Sequence, residues 1–182
     1  MTIDELSRFI RQALSRNHAL EIDGLGTFAC QPETREISFS GPNRPRVFIA
    51  YAHEDAATAD RLYRQLQSHG FAAWLDRKKL MPGQNWPRSI EDAINSSDFF
   101  IACFSTRSVK KRGGFQAEIR YALDCARRVP LDEVFLIPVR LDNCPVPARI
   151  QREIQYVDLF PDWQTGFRNV LRIIERQIQK AA

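Results

Sequence analysis

Apolar and polar residues alternate in blocks from Arg46 onward, and the blocks predict an alternation of strands and helices. Five short apolar runs are typical of strands. The run at 98–105 is apolar along nearly its whole length, which is typical of a strand buried on both faces of a parallel sheet. The five predicted strands are 46–51, 71–75, 98–105, 133–140 and 155–159.

Between these runs the apolar residues recur with helical spacing. Gly70 stands where a helix would end, and Pro87 suits the first turn of the next helix. Strands separated by helices predict an α/β fold with an open parallel sheet in the order 2-1-3-4-5, covered by helices on both faces. The predicted helices are 53–69, 87–95, 115–128 and 163–179.

The first 43 residues follow a different pattern. One helical stripe, Leu6, Ile10 and Leu14, precedes three short strand-like runs, which predict a small antiparallel meander. A segment of this length is too short to bury a core alone, so we expect it to lean on the larger domain or on another copy of itself. We therefore divide the chain into a segment at 1–43 and a domain at 44–182.

Composition narrows the classes of function. The 182 residues are 44% hydrophobic, which excludes a disordered chain, and 26 basic residues offset by 22 acidic ones make nucleic-acid binding unlikely. The four cysteines have no metal-binding spacing, so no metal site is expected, and Cys103 in an apolar run suits a reducing compartment. The longest apolar runs, about six residues, are far too short for a membrane span, and the first 16 residues are too charged for a signal peptide. We expect a cytoplasmic protein without membrane contact.

Two motifs carry a family resemblance. The segment at 47–55, Val-Phe-Ile-Ala-Tyr-Ala-His-Glu-Asp, is followed by Trp74-Leu-Asp76 and, ten residues later, by Trp86. Together they resemble the TIR (Toll/interleukin-1 receptor) domain family, most of all its bacterial members, over about residues 44–180. The resemblance implies a flavodoxin-like sheet, in agreement with the pattern. It also implies one of two functions: an NAD+ glycohydrolase that cleaves the nicotinamide–ribose bond, or a non-catalytic protein-interaction adaptor.

The resemblance places the family's catalytic glutamate at Glu118, in the first turn of the helix after the third strand. One carboxylate suffices for this chemistry. A glycosidase normally needs a second, acidic group because an alkoxide leaves poorly without a proton. Nicotinamide leaves NAD+ as a neutral molecule, so a carboxylate has only to hold the ribose and stabilise the oxocarbenium-like charge. NAD+ is then the substrate, and no cofactor is required. Without the resemblance, the spacing favours an ordinary helix N-terminus as the reason for Glu118.

Further residues are candidates for lining the substrate pocket. Trp86 could stack on a base, or fasten its loop to the next helix. Asp76 and Lys79 could orient ribose or phosphate, although a polar loop contains such residues anyway. Tyr51 and Ser105 end the first and third strands, where they line a pocket or serve only the core and the following turn.

The sequence departs from the family pattern at two positions. Ala50 stands where the first motif commonly has serine, and Gly114, with Phe115 adjacent, stands where members often have tryptophan. We count Phe115 among the substrate-binding candidates. The missing tryptophan leaves open a reshaped pocket or a loss of catalysis, as in the adaptor. A phosphoacceptor receiver domain would need an aspartate where Ser105 stands, so that class is unlikely.

The remaining expectations concern the basic groups beside the pocket and the self-association of the chain. Basic groups at 77–79 and 110–112 fall on loops beside the proposed pocket, where they attract the pyrophosphate of NAD+ or are merely solvated. The stretch at 22–28 is similar to the strand-turn-strand of the HU family, without that family's basic arm. The resemblances together imply self-association through the TIR loops and the 1–43 segment, activation by assembly, and a role in bacterial antiphage defence through NAD+ depletion or a cyclic ADP-ribose-type signal.

Overall fold

The computed structural model describes residues 3–14, 19–22, 26–30, 37–40, 44–75 and 86–181. The chain divides into two compact units, 1–44 and 45–182. Within the described residues, none of the helices combines the length and the apolar character that crossing a membrane requires.

The first unit holds one helix and a three-stranded antiparallel sheet in the order β1-β2-β3. Phe28 on β2 lies between Leu20 on β1 and Phe39 on β3. Ile10 and Leu14 are buried on α1, as the helical stripe predicts. The similarity to HU and the role of this unit in self-association stay predictions. Its elements are α1 (Ile3–Leu14), β1 (Ala19–Ile22), β2 (Gly26–Cys30) and β3 (Ile37–Ser40).

The second unit is built on a five-stranded parallel sheet, which confirms the predicted fold class. The strands lie in the order β5-β4-β6-β7-β8. Numbered within this unit, that order is the predicted 2-1-3-4-5. The strands are β4 (Arg46–Ala50), β5 (Ala72–Leu75), β6 (Phe99–Phe104), β7 (Leu136–Arg140) and β8 (Val157–Asp158).

Helices connect these strands, and one more helix follows the last strand. Two of them, α2 and α6, cover one face of the sheet, while α3, α4 and α5 cover the other. The helices are α2 (Ala56–Ser68), α3 (Trp86–Asn95), α4 (Gly114–Ala126), α5 (Ala148–Gln151) and α6 (Trp163–Ala181).

Successive side chains of the buried strands point to opposite faces of the sheet, and they form two separate hydrophobic cores. On β4, Val47 and Ile49 point into the core beneath α2 and α6, whereas Phe48 points into the other one. The same alternation on β6 sends Ile101 to the first core and Phe100 to the second, where its ring stacks on that of Phe48 at 5.2 Å. The continuous apolar pattern of these strands follows from burial on both faces.

The boundaries correct several details of the sequence prediction. The predicted helix at 53–69 begins instead with a 3-10 turn, His53–Asp55, closed by the Asp55 N–H donating to the carbonyl of Ala52 at 2.8 Å. The Asp55 carboxylate is buried and accepts a hydrogen bond from the Ser105 hydroxyl, and this tertiary contact is invisible to helical periodicity. Helix α4 begins one residue before the predicted start, so Glu118 is its fifth residue rather than part of the first turn.

Candidate functional site

A cavity of about 440 Å³ opens at the carboxyl edge of the sheet, where β4 ends and α4 begins. Ligands bind at this edge in open α/β sheets because the loops there are free to vary while the strands hold them in place. The walls combine apolar and aromatic side chains with a few charged ones. The lining residues are Tyr51, Ala52, His53, Ile90, Glu91, Ile94, Lys111, Arg112, Gly114, Phe115, Ala117, Glu118 and Tyr121.

Helix α4 brings Glu118 into the cavity. Gly114 lies one turn earlier on the same helix, and a Cβ atom added to it would be 3.9 Å from Oε1 of Glu118. That distance is an ordinary van der Waals contact, so the space in front of Gly114 lies beside the Glu118 carboxylate. The departure from the family pattern at position 114 therefore alters the immediate surroundings of the candidate catalytic group.

Aromatic rings hold the inner wall in place. Phe115 is only 8% exposed, and its ring meets that of Phe104 edge-on at 5.8 Å. Tyr121 is half-buried, and its hydroxyl accepts a hydrogen bond from Nδ2 of Asn95 at 2.7 Å. This bond joins α3 to α4, the two helices that supply most of the lining, so the apolar part of the cavity is preformed.

Positive charge lies where the loop after β6 meets α4. Lys111 and Arg112 both line the cavity and both are exposed. The Lys111 ammonium forms an ion pair with Glu54, in the 3-10 turn after β4. A hydrogen bond from Lys111 is the main reason why the pKa of Glu54 lies below its ordinary value. Neighbouring strands thus place an acidic and a basic loop side by side.

Asp55 anchors the start of the loop after β6. Its side chain is almost fully buried, and Oδ2 accepts a hydrogen bond from the Ser105 hydroxyl at 2.6 Å. Nη2 of Arg107 lies 3.4 Å from Oδ1. The Ser105 oxygen in turn accepts from the backbone N–H groups of Arg107 at 3.2 Å and Ser108 at 3.1 Å. These bonds hold the end of β4 to the end of β6.

Asp142, which follows β7, holds the loop from the other side. Its carboxylate accepts bonds from the backbone N–H of Thr106 at 2.9 Å and from the Thr106 hydroxyl at 2.8 Å. The loop that carries Lys111 and Arg112 is therefore anchored to carboxylates from both neighbouring strands, and it enters α4 from a defined position.

The structure gathers three of the seven predicted site residues around the cavity: Tyr51, Phe115 and Glu118. Ser105 is not among the lining residues, because its buried hydroxyl is engaged by Asp55. Asp76 and Lys79 lie outside the described residues. Trp86 begins α3, but its side chain is not among those described.

Sequence reasoning missed several residues of the site. His53 and Tyr121 line the cavity, and Glu54 and Asp55 organise its rim. The sequence places His53, Glu54 and Asp55 in the loop after the first predicted strand, at the carboxyl edge where open α/β sheets bind ligands, but the pattern singles out none of them as a site residue. Tyr121 gave no signal either, because a tyrosine one turn after Glu118 looks like ordinary helix surface.

Comparison with known proteins agrees with this architecture. The family model described as TIR domain matches residues 47–171. The NAD(+) hydrolase PdTIR of Paracoccus denitrificans (strain Pd 1222) is 30% identical over 101 residues, which are 55% of this chain and 33% of that protein. The chain spans about a third or less of the length of the curated relatives it matches.

Solved structures show the same fold. The TIR domain of the Toll-related receptor TRR-2 from Hydra magnipapillata superposes with a TM-score of 0.58 at 24% identity, covering 71% of this chain and 97% of that one. A metazoan TIR-STING receptor from C. gigas gives a TM-score of 0.57 at 25% identity, over 71% of this chain and 38% of the receptor. With a family match over most of the second unit and the parallel sheet to support it, the chain belongs to the TIR domain family.

Proposed function

We propose that this chain is an NAD+ glycohydrolase that cleaves the nicotinamide–ribose bond, with Glu118 as the catalytic carboxylate. The observation that carries the proposal is the position of Glu118 in the wall of an apolar cavity at the carboxyl edge of the sheet. The similarity to an NAD(+) hydrolase over 101 residues supports the same reaction.

The lining suits the two groups that the scissile bond joins, which are nicotinamide and ribose. Phe115, Tyr121 and Ile90 offer apolar and aromatic surface for a flat, uncharged leaving group. Glu118 offers a negative charge for the ribose, whose anomeric carbon becomes positive as nicotinamide departs. A carboxylate in a partly dehydrated cavity stabilises such charge more strongly than one in water.

The anionic part of NAD+ would lie towards Lys111 and Arg112, on the same cavity. The reaction then needs water or a hydroxyl of the substrate to capture the ribosyl cation. Capture by water gives ADP-ribose, and capture within the molecule gives a cyclised isomer. Either product leaves the carboxylate of Glu118 unchanged, as a catalyst requires.

The experiment is nicotinamide release from NAD+ by wild type and by Glu118→Gln. The substitution keeps the size of the side chain and removes its charge, so we expect kcat to fall by at least about 100-fold, as when one preorganised charge-stabilising group is lost. Asp124→Asn is the matched control. Asp124 is an exposed carboxylate on the same helix whose partner is Arg127, so its loss should leave kcat unchanged.

The same experiment, with a measurement of NAD+ binding, distinguishes the enzyme from the adaptor. An adaptor should neither release nicotinamide nor bind NAD+, whereas an enzyme awaiting its trigger should bind NAD+ without turning it over. Equal turnover by wild type and Glu118→Gln would refute the assignment of the catalytic residue.

We further propose that activity depends on self-association, through the TIR loops and the first unit. The measurement is the rate of nicotinamide release across a range of protein concentrations. Assembly predicts a rate that rises faster than linearly, because the fraction of assembled protein grows with concentration. A strictly linear dependence would exclude assembly as the activating step over the range tested. A role in bacterial antiphage defence stays part of this proposal, to be tested by phage challenge of cells that carry wild type or Glu118→Gln.

A further inference from the structure

We propose that Lys111 and Arg112 form a diphosphate-binding site on the rim of the cavity, and that Glu54 weakens this site by competing for Lys111. The inference deepens the proposed function, on which it rests for the identity of the substrate. It assigns the residues that bind the diphosphate of that substrate, and it predicts a preference for NAD+ over ribosides of the same base.

The first argument is placement. Of the basic run at 110–112, Lys111 and Arg112 line the cavity, whereas Lys110 does not. The run is not a uniformly solvated charge patch, because consecutive residues of the loop differ in whether they border the cavity. The loop itself is fixed by Asp55 and Asp142, so the two cations are presented from an anchored backbone.

The second argument is chemical fit. A dinucleotide diphosphate carries two negative charges on adjacent phosphates, and two adjacent cations match it. Helix α4 starts at Gly114, two residues after Arg112, and the first backbone N–H groups of a helix have no partner within the helix. Gly113, in front of it, has a φ of 127° and no side chain that could cap these groups. They add positive potential beside the two cations.

The third argument concerns the other charges of the cavity. Its acidic members, Glu91 and Glu118, lie on helices α3 and α4, whereas the two cations lie on the loop that precedes α4. A ligand that has an anionic diphosphate, and a ribose that becomes positive during the reaction, therefore has a preferred direction of binding. The diphosphate meets the loop, and the ribose meets Glu118.

The fourth argument is that Lys111 already has an internal anion. Its side chain is 48% exposed and that of Glu54 is 35% exposed, so water and ligands reach the pair. Exposed ion pairs are weak, which means that an incoming phosphate can displace the Glu54 carboxylate. Glu54 does not itself line the cavity. Glu54 is therefore not a catalytic residue, and it acts on the ligand only through Lys111.

The test measures binding of ADP-ribose, which has the diphosphate but no nicotinamide, to the full-length chain by calorimetry. We expect Lys111→Gln and Arg112→Gln each to weaken binding about tenfold, the effect of losing one charge-assisted hydrogen bond. The matched controls remove one charge each outside the cavity: Lys110→Gln on the same loop and Arg120→Gln on α4. Both should bind ADP-ribose as wild type does.

Glu54→Gln should have the opposite effect on the binding of ADP-ribose. It removes the competing anion while keeping the shape of the side chain, so binding should tighten by up to about fivefold, the factor that corresponds to an exposed ion pair. In the double variant Glu54→Gln with Lys111→Gln, the gain should disappear, because the competition acts only through Lys111. Tightening that persists in the double variant would overturn the role of Glu54.

A second readout separates this inference from the proposed function. Nicotinamide riboside has the scissile bond but no phosphate, so Lys111→Gln should lower kcat/KM for NAD+ and leave that for the riboside unchanged. If wild type releases nicotinamide but Lys110→Gln and Lys111→Gln behave alike, the diphosphate site is refuted and the glycohydrolase stands. If nothing is turned over but ADP-ribose binding follows the expected order, the diphosphate site stands independently of the glycohydrolase. Absence of ADP-ribose binding to wild type refutes the site.

Discussion

Ser105→Ala should destabilise the second unit far more than the loss of one small hydroxyl suggests. The Ser105 hydroxyl donates to Oδ2 of Asp55 at 2.6 Å, and both side chains are almost completely buried. Alanine keeps the carbon skeleton and removes the hydroxyl, which donates to Asp55 and accepts from the N–H groups of Arg107 and Ser108. The perturbation therefore removes the hydrogen bond that ties the loop after β6 to the turn after β4, together with an acceptor inside that loop.

The expected magnitude follows from what remains around Asp55. A hydrogen bond to a charged group contributes about 1.5–3 kcal/mol, and a buried carboxylate left without it keeps a desolvation cost. The remaining cation, Arg107, lies 3.4 Å away with 61% of its side chain exposed, so it offsets little of that cost. The Arg107 N–H also loses its acceptor, whereas the Ser108 N–H keeps the Ser105 carbonyl at 3.0 Å. We expect the free energy of unfolding to fall by about 2–3 kcal/mol.

The assay is urea unfolding followed by far-UV circular dichroism, with Ser96→Ala as the matched control. Ser96 is exposed and its hydroxyl bonds a helix carbonyl at 3.2 Å, so its truncation should change the free energy of unfolding by less than about 0.5 kcal/mol. A double-mutant cycle with Asp55→Ala separates the pair from its surroundings. A loss below about 0.5 kcal/mol for Ser105→Ala, or a cycle without coupling, would refute the reasoning.

Three further predictions test packing, protonation and assembly. Gly166→Ala should lower the free energy of unfolding by about 2–3 kcal/mol, because its Cβ would lie 2.1 Å from a backbone oxygen of β8. Gly114→Ala, whose Cβ would meet Oε1 of Glu118 at an ordinary contact distance of 3.9 Å, should be neutral or stabilising in the same denaturation assay. Alkylation at pH 8 should modify the half-buried Cys30 before the buried thiols, because burial raises the pKa of Cys144 to about 11 from 9.0 and little of that thiol is reactive thiolate. The free energy of unfolding should fall as pH rises above about 9, because the Cys144 thiol then ionises in the unfolded chain but not in the folded one. Removal of residues 1–43 should reduce self-association, checked by light scattering at matched concentrations; an unchanged mass would contradict a role for the first unit.

The parallel sheet could be predicted from the sequence because its signal is local. A strand buried on both faces must be apolar at every position, as at 99–104. The strand order followed from general rules for crossovers rather than from any residue. Glu118 was found through the family resemblance, since a glutamate near a helix start is too common to point to chemistry by itself.

Details of the elements escaped prediction where a tertiary contact overrides local preference. Helical periodicity extended the second predicted helix back to His53, but the structure has a 3-10 turn there, with Asp55 turned inward to Ser105. The short helix α5 gave no periodic signal, because four residues make only one turn. Ser105 looked like a residue that faces the site, and its burial depends on a partner fifty positions away.

The sequence by itself determined which segments form strands and helices, which faces are buried and at which edge of the sheet the polar loops gather. Only the tertiary structure decided the partners at that edge: Glu54 with Lys111, Ser105 with Asp55, and Asn95 with Tyr121. The reason is physical. Burial is imposed residue by residue and leaves a periodic trace in the chain, whereas a hydrogen bond or ion pair between distant residues depends on which strands and helices become neighbours, and that information has no period.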